Sequence, residues 1–391
     1  MIYLDSNATT QVRPEVLEAM MPYLTSDYFN PSSGYRAGKR VKAAVENARG
    51  QVASLINAAP EEIVFTGCGT ESNNMALKWL SRVIGRKGSR VVTSQIEHSA
   101  VLRPCETFAG VGFDVERIRV DQEGRIDLDE FRASCLEKDK TFASVMWANN
   151  ETGVLQPLDE IAHFTAERGI PLHTDAIQAV GKVPVDVKSV PVDFLSISGH
   201  KFHAPKGVGA LFCRSGKRFE PMLRGGGQEQ GRRSGTENVA FIVGLGKAAE
   251  LAQQELGHQS TEVKSLRDQL EEGIMSRVSG VTQNGNRKFR TPNVTHLSFE
   301  NCDAGSLLIL LDERGILCSA GSACMTGKSQ PSHVQLAMGI SPEQAKTSLR
   351  LSLSVLTTKE EIQDAIGVIE QAVAKVRQVQ SPGVGPVVVY N

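Results

Sequence analysis

Between residues 62 and 213 the chain returns six times to one motif: a strand-length apolar run, rich in β-branched residues, ended by polar or glycine-containing sequence. The runs are EIVFT at 62–66, RVVTS at 90–94, FASVMWA at 142–148, PLHTDA at 171–176, DFLSIS at 193–198 and VGALFC at 208–213. Several are separated by helix-like stretches. Strands that are apolar throughout, rather than alternating, belong to a sheet covered on both faces. Alternation with helices predicts βαβ units, hence an α/β fold with a mainly parallel sheet.

Helical patterns precede this region. One opens at Pro14 (RPEVLEAMMPYL), where proline suits a first turn, and a longer one covers 36–56. Around residue 255 the character changes. Helical patterns at 236–257 and 261–278 lead to a strand NVTHLSF at 293–299 and a helix at 303–314. The loop SAGSACMTGKSQPS, a strand TSLRLSLS and a final helix at 359–377 follow. The expected division is a short segment 1–12 that joins the smaller domain, a large domain 13–257 and a small α+β domain 258–391. A length of 391 residues suits two such domains. The tail SPGVGPVVVY is expected to lie extended on the surface.

Bulk properties exclude several functions. Lys+Arg 43 against Asp+Glu 44 leaves a net charge of -1, which draws neither nucleic acid nor an anionic membrane. Aromatics at 5% leave little for base stacking. MIYLDSNATT has no basic-then-apolar leader, and no apolar run approaches the roughly 20 residues that span a bilayer. A cytoplasmic enzyme is the expectation. The cysteines (68, 105, 135, 213, 302, 318 and 324) are odd in number, scattered and without a C-x-x-C pair, against a disulfide framework or zinc finger.

Candidate chemistry collects where strands end. Ser198-Gly199-His200-Lys201 follows DFLSIS directly, and a lysine at a strand's carboxyl end sits where α/β proteins place ligands. Such a lysine can form a Schiff base with an aldehyde cofactor; a lone loop lysine would ordinarily be only a surface charge. Asp175 ends PLHTDA. A carboxylate there can pair the pyridine nitrogen of pyridoxal phosphate, although an aspartate after a strand is more often a helix cap. Gln178, three residues on, can donate to a ring oxygen.

Gly67-Cys68-Gly69-Thr70-Glu71 lies between strand and helix, the place for a phosphate, though many glycine turns are only turns. His98 in IEHSA can stack on a ring and move protons, or be a satisfied structural histidine. Asn149 and Asn150 follow FASVMWA, where amides can reach cofactor or substrate. Cys324 lies among small residues (Ser319 to Ala323), which leave a thiol uncrowded; a loop cysteine with no task is the alternative. Arg350, alternating with apolar residues in SLRLSLS, wants an anion: a substrate carboxylate or a structural ion pair. Singly these are weak; together they supply a lysine, an electron-sink carboxylate, a phosphate cup, a carboxylate clamp and a thiol.

With these segments in view, the chain resembles the cysteine desulfurases, the NifS/IscS family of fold-type I pyridoxal-phosphate enzymes related to class-V aminotransferases. The segments YLDSNATT, NPSSGY, CGTESNN, EHSAV, VMWANNETG, HTDAIQAVGK, SGHKFHAPKGVG, RGGGQEQGRRSGTEN, SAGSACMTG and LRLSLS run in family order over nearly the whole chain. The ending PVVVYN resembles the nitrogen-fixation branch. The resemblance implies that Lys201 holds pyridoxal 5'-phosphate, Asp175 pairs its ring nitrogen, Gln178 contacts its ring oxygen and His98 stacks on it. Gly69, Thr70, Ser198, Gly199 and His200 match phosphate-side positions. Thr236 matches a residue that reaches the neighbouring subunit's phosphate, which implies a homodimer with shared sites. Asn150 matches a cofactor and substrate position, Asn7 and Arg350 substrate positions, and Cys324 the persulfide carrier, a transient ligand of nascent iron–sulfur clusters. The implied reaction takes L-cysteine to L-alanine and passes sulfur to an iron–sulfur scaffold or another acceptor protein.

Two departures from the family pattern stand out: Ala320 where a serine is usual, and Ser6 where an asparagine is usual. Neither removes a group the chemistry needs. Competing readings are another fold-type I enzyme, such as an aminotransferase or selenocysteine lyase, and a non-catalytic sulfur-assembly scaffold.

Overall fold

Seven of the expected and unexpected strands make one mixed sheet in the computed structural model, which describes residues 1–85, 88–136, 140–216, 219–320 and 331–380. From edge to edge they run Ile63–Thr66, Gly209–Cys213, Phe194–Ser198, Leu172–Asp175, Thr141–Ser144, Arg90–Ser94 and Asp114–Ile118. The last five are mutually parallel. Gly209–Cys213 is antiparallel to both its neighbours, so the sheet is mainly parallel, as expected.

The apolar runs form strands because both their faces are covered. Along successive residues the side chains alternate between two cores: Val64, Val91, Phe142, Phe194 and Leu211 face one, while Phe65, Val92, Ala143, Leu195 and Phe212 face the other. A period of two is the pleat itself. The second face is roofed by helices Pro14–Thr25, Arg36–Leu55 and Val239–Gln254. Helix Arg36–Leu55 buries Val41, Val45, Ala48 and Val52 on one stripe. Gly246 of helix Val239–Gln254 lets the two backbones close up, since a Cβ there would stand 2.6 Å from Ala48 Cβ.

A second, antiparallel sheet has the order Ser319–Ala320, Ser348–Ser352, Val294–Phe299, Val281–Gln283. Helices Lys264–Arg277, Ala304–Glu313 and Lys359–Gln380 pack on it around Leu270, Leu297, Leu307, Leu349 and Ile369. The N-terminal strand Ile2–Tyr3 pairs in parallel with Ile316–Leu317, and Asp5 bridges to Ser352. Among the described residues no helix is long and apolar enough to cross a membrane. The terminal segment SPGVGPVVVY and most of the loop around Cys324 lie outside the described residues.

Candidate active site

The strands that lead to Gly69, Asp175 and Lys201 stop at the same end of the large sheet. Strand Leu172–Asp175 ends on Asp175, and Phe194–Ser198 runs into a single 3-10 turn, Gly199–Lys201. Between strand Ile63–Thr66 and helix Gly69–Ile84 the chain turns through Gly67 and Cys68. Gly69 is where these pieces meet. A Cβ on it would come within 2.2 Å of Ile177 Cδ1 and 3.1 Å of Ser198 Cβ, so only glycine admits this approach. The helix that starts there turns its free N–H groups toward the floor formed by Ser198.

Asp175 is buried, yet its carboxylate is fully engaged. Oδ2 accepts from Asn73 Nδ2 at 2.7 Å and Oδ1 from the Ile177 amide at 3.0 Å. Burial nevertheless pushes its carboxyl above the usual range, opposed by these bonds and by the charges of His98 and Lys201. A cationic ring nitrogen is the kind of partner that offsets such burial.

His98 caps helix Ser99–Ala109, its Nδ1 accepting from the Ala100 amide at 3.1 Å. That bond leaves the proton on Nε2. With Thr70, Asn74, Ser99, Ala100, Arg103, Pro104 and Thr107 it lines an open cleft of about 370 Å³.

Lys201 is held by two backbone carbonyls, Asn7 O at 2.6 Å and Ala8 O at 2.8 Å. Burial, and then Arg350, lower its amine to about 8. His200 donates or accepts at Thr9 Oγ1, 3.1 Å away, and burial lowers it to about 4. The N-terminal segment is therefore part of the site. Asn7 is buried, its carbonyl also accepting from Gln178 Nε2 at 2.9 Å. Its Nδ2 donates to Asn150 O at 3.2 Å.

Arg350 has found protein partners: Nη1 donates to Asn150 O at 2.9 Å and Nη2 to Asp5 Oδ1 at 2.8 Å, while its buried Nε has none. The ion-pair reading of Arg350 is thus met by Asp5. Asn149 holds the turn, its Oδ1 accepting from the amides of Glu151 and Thr152 and its Nδ2 donating to Ile96 O. His173, wedged between Ser144 and Ser196 hydroxyls, is lowered to about 3 by burial and is structural. Residues 7, 69, 150, 175, 178, 198–201 and 350 come together. Thr236 is exposed on the loop before helix Val239–Gln254, and no contact joins it to this cluster. Cys324 lies outside the described residues.

Three buried groups escaped the sequence reading. Glu97, beside His98, accepts from Ser94 Oγ at 2.6 Å and the Met146 amide at 2.9 Å, and burial raises it to about 8. Glu151 accepts from Ser332 Oγ at 2.5 Å. Lys182 sits beneath Asn7. A lone charged residue gives no periodic signal, and only burial marks these out.

The glycine cradle, the helix N-terminus and a buried, hydrogen-bonded carboxylate facing a lysine fit pyridoxal phosphate in shape and charge. The class-V aminotransferase family pattern matches residues 2–364. NifS cysteine desulfurase of Azotobacter vinelandii is 47% identical over 391 residues, covering 99% of this chain and 96% of its own. The chain belongs to the cysteine desulfurase family. IscS of Dictyoglomus turgidum is 43% identical over 97% of the chain and 96% of its own. Among solved structures, a NifS-like protein superposes with a TM-score of 0.89 at 36% identity, over 96% of this chain and 99% of that one. SspA in complex with cysteine superposes at 0.80 and 35% identity, over 90% and 99%. The desulfurase fold is that of fold-type I aminotransferase-like enzymes, as the family resemblance implied.

Proposed function

We propose that this cysteine desulfurase takes L-cysteine to L-alanine and carries the sulfur as a persulfide on Cys324. The observation that carries the reading is the meeting of Lys201, Asp175 and Gly69 at one sheet end, in a chain whose fold is shared by SspA in complex with cysteine. Lys201, Asp175, Gln178, His98, Asn150 and the Gly69, Thr70, Ser198, Gly199 and His200 edge would hold pyridoxal phosphate. When bound, that group supplies an electron sink for the carbanion at the substrate Cα.

The chain's own groups do the rest. An amine lowered to about 8 leaves Lys201 partly unprotonated near neutral pH, able to move the Cα proton, with His98 as a second proton carrier. Asn7, Asn150 and Arg350 orient the substrate carboxylate; for Arg350 this means sharing its fork with Asp5. Cys324 thiolate takes the sulfur, the sulfur–Cβ bond breaks, and protonation of the three-carbon remainder leaves alanine. Ala320 and Ser6 keep every group this scheme uses.

Residues 13–257 are the cofactor-binding domain in this reading, 258–391 the smaller one, with 1–12 crossing between them. Thr236 reaches the phosphate of a second subunit, giving a cytoplasmic homodimer with shared sites. The acceptor is an iron–sulfur scaffold or another sulfur carrier, and the NifS likeness favours a role in nitrogen fixation. The purified protein given L-cysteine alone is expected to yield alanine and sulfide. Cys324→Ala should keep the yellow cofactor and lose desulfuration; full alanine turnover by that variant would remove Cys324 from the mechanism. Consumption of a keto acid would instead favour an aminotransferase.

A further inference from the structure

Lys182 is 4% exposed and lies four residues after Gln178, in the turn that follows strand Leu172–Asp175. Its Nζ donates to two side-chain amide oxygens, Asn7 Oδ1 at 2.9 Å and Gln178 Oε1 at 2.5 Å. Asn293 Nδ2 adds a second donor to Asn7 Oδ1 at 3.0 Å. An amide group is nearly symmetric in shape, so sterics alone allow it to be turned over. A partner that presents only donors removes that freedom. With both oxygens facing Lys182, the NH2 ends face away: Asn7 Nδ2 toward Asn150 O, and Gln178 Nε2 toward the Asn7 carbonyl that also receives Lys201 Nζ.

We propose that Lys182 is a positioning residue that locks the Asn7 and Gln178 amides in one orientation, so that Asn7 offers its NH2 to the Asn150 carbonyl and Gln178 offers its NH2 to the carbonyl that receives Lys201. The surrounding charges agree with the count of bonds. Burial, then Lys201 and Arg350, hold the Lys182 amine well below the ordinary lysine range. His200 and His203, which also feel Lys182, are lowered as well, mainly by burial. The two amide oxygens each take one N–H of Lys182 Nζ. A flipped Gln178 would instead aim an oxygen at the Asn7 carbonyl, a repulsion with no compensating donor.

The proposal rests on the cofactor placement given above, and its test separates the two. Wild type, Lys182→Met, Gln178→Met and the double variant are stripped of cofactor and titrated with pyridoxal phosphate, following affinity and the visible band. Each single variant is expected to bind about 3- to 10-fold more weakly, the equivalent of one hydrogen bond, and to shift the band in the same direction. In the double variant the losses should fall short of the product of the two factors, because Lys182 acts through Gln178. Lys182→Gln fills similar space and keeps N–H donors but adds an acceptor oxygen, so an intermediate loss is expected; it stands in if Lys182→Met does not fold. Wild-type affinity and band in the Lys182 variants, or losses that multiply, overturn the role of Lys182. A wild type in which borohydride traps no cofactor on Lys201 overturns the placement itself, and this role with it.

Discussion

Asn73 donates through Nδ2 to Asp175 Oδ2 at 2.7 Å, and both side chains are buried. The bond joins the first turns of helix Gly69–Ile84 to the end of strand Leu172–Asp175, so the proposed phosphate cup and the carboxylate proposed to pair the ring are held in one register. Asn73→Ala removes a bond to a charged group, a loss of about 1.5–3 kcal/mol. Cofactor affinity should drop by at least tenfold while the fold persists. Titration of the apo-protein reads this directly, and an unchanged affinity would show that Asp175 does not depend on Asn73.

Gly69→Ala tests the cradle. The new methyl meets Ile177 Cδ1, which can swing, and Ser198 Cβ, which cannot move far. Overpacking of this kind costs about 1–3 kcal/mol. The larger expected effect is on cofactor binding, because Ser198 borders the cup. A variant that binds as tightly as wild type would argue that the phosphate sits elsewhere.

Arg49 and Glu229 form a buried two-bond pair, Nη1–Oε2 at 2.7 Å and Nη2–Oε1 at 2.9 Å, and Glu229 Oε2 also accepts from the Phe65 amide. The pair ties the segment that leads to Thr236 onto the edge strand. Arg49→Met leaves a buried carboxylate unpaired, expected to cost about 3–5 kcal/mol. Denaturant unfolding of the purified variant measures it; a loss below about 1 kcal/mol would mean that Glu229 finds water or another partner.

Acid and base should each weaken the fold, through different groups. His173 and His296 are lowered by burial to about 3, from 6.5 when unfolded. As pH falls between those values the unfolded chain binds protons that the folded one refuses, so stability drops by up to about 1.4 kcal/mol per unit for each histidine. Burial raises Glu97 to about 8 and Glu151 to about 7, from 4.5. Their contribution is complete below 4.5 and is lost as pH climbs toward 7 and 8. Glu97→Gln keeps the shape and removes the ionisation. Relative to wild type it should gain on the order of 3 kcal/mol between pH 5 and pH 8. Urea midpoints that stay parallel across that range would refute this.

Strands legible in the sequence were those buried on both faces. RVVTS matches strand Arg90–Ser94 residue for residue. FASVMWA is shorter in the structure, Thr141–Ser144, although the amides of Val145 and Trp147 still donate to His173 O and Asp175 O on the way to Asn149 and Asn150. The edge strand Asp114–Ile118 escaped notice because Asp114, Glu116 and Arg117 interrupt it on both faces, leaving no apolar run. In the site, Lys201, Asp175 and Gly69 were readable because each follows a strand directly. Asn73, Glu97, Glu151 and Lys182 were not, since their meaning lies in what surrounds them. Arg350 carried two readings on sequence grounds, and its bond to Asp5 answers one of them.

The opening segment is stitched to places far along the chain: Ile2–Tyr3 to Ile316–Leu317, Asn7 to Ser352 and Lys201, and Thr10 to His200. On a ribosome these residues emerge before their partners and wait. Until residue 352 has been synthesised and threaded beside them, the nascent chain has a sheet and a lysine but no finished floor beneath it. Competence for sulfur chemistry is therefore one of the last things the growing polypeptide acquires.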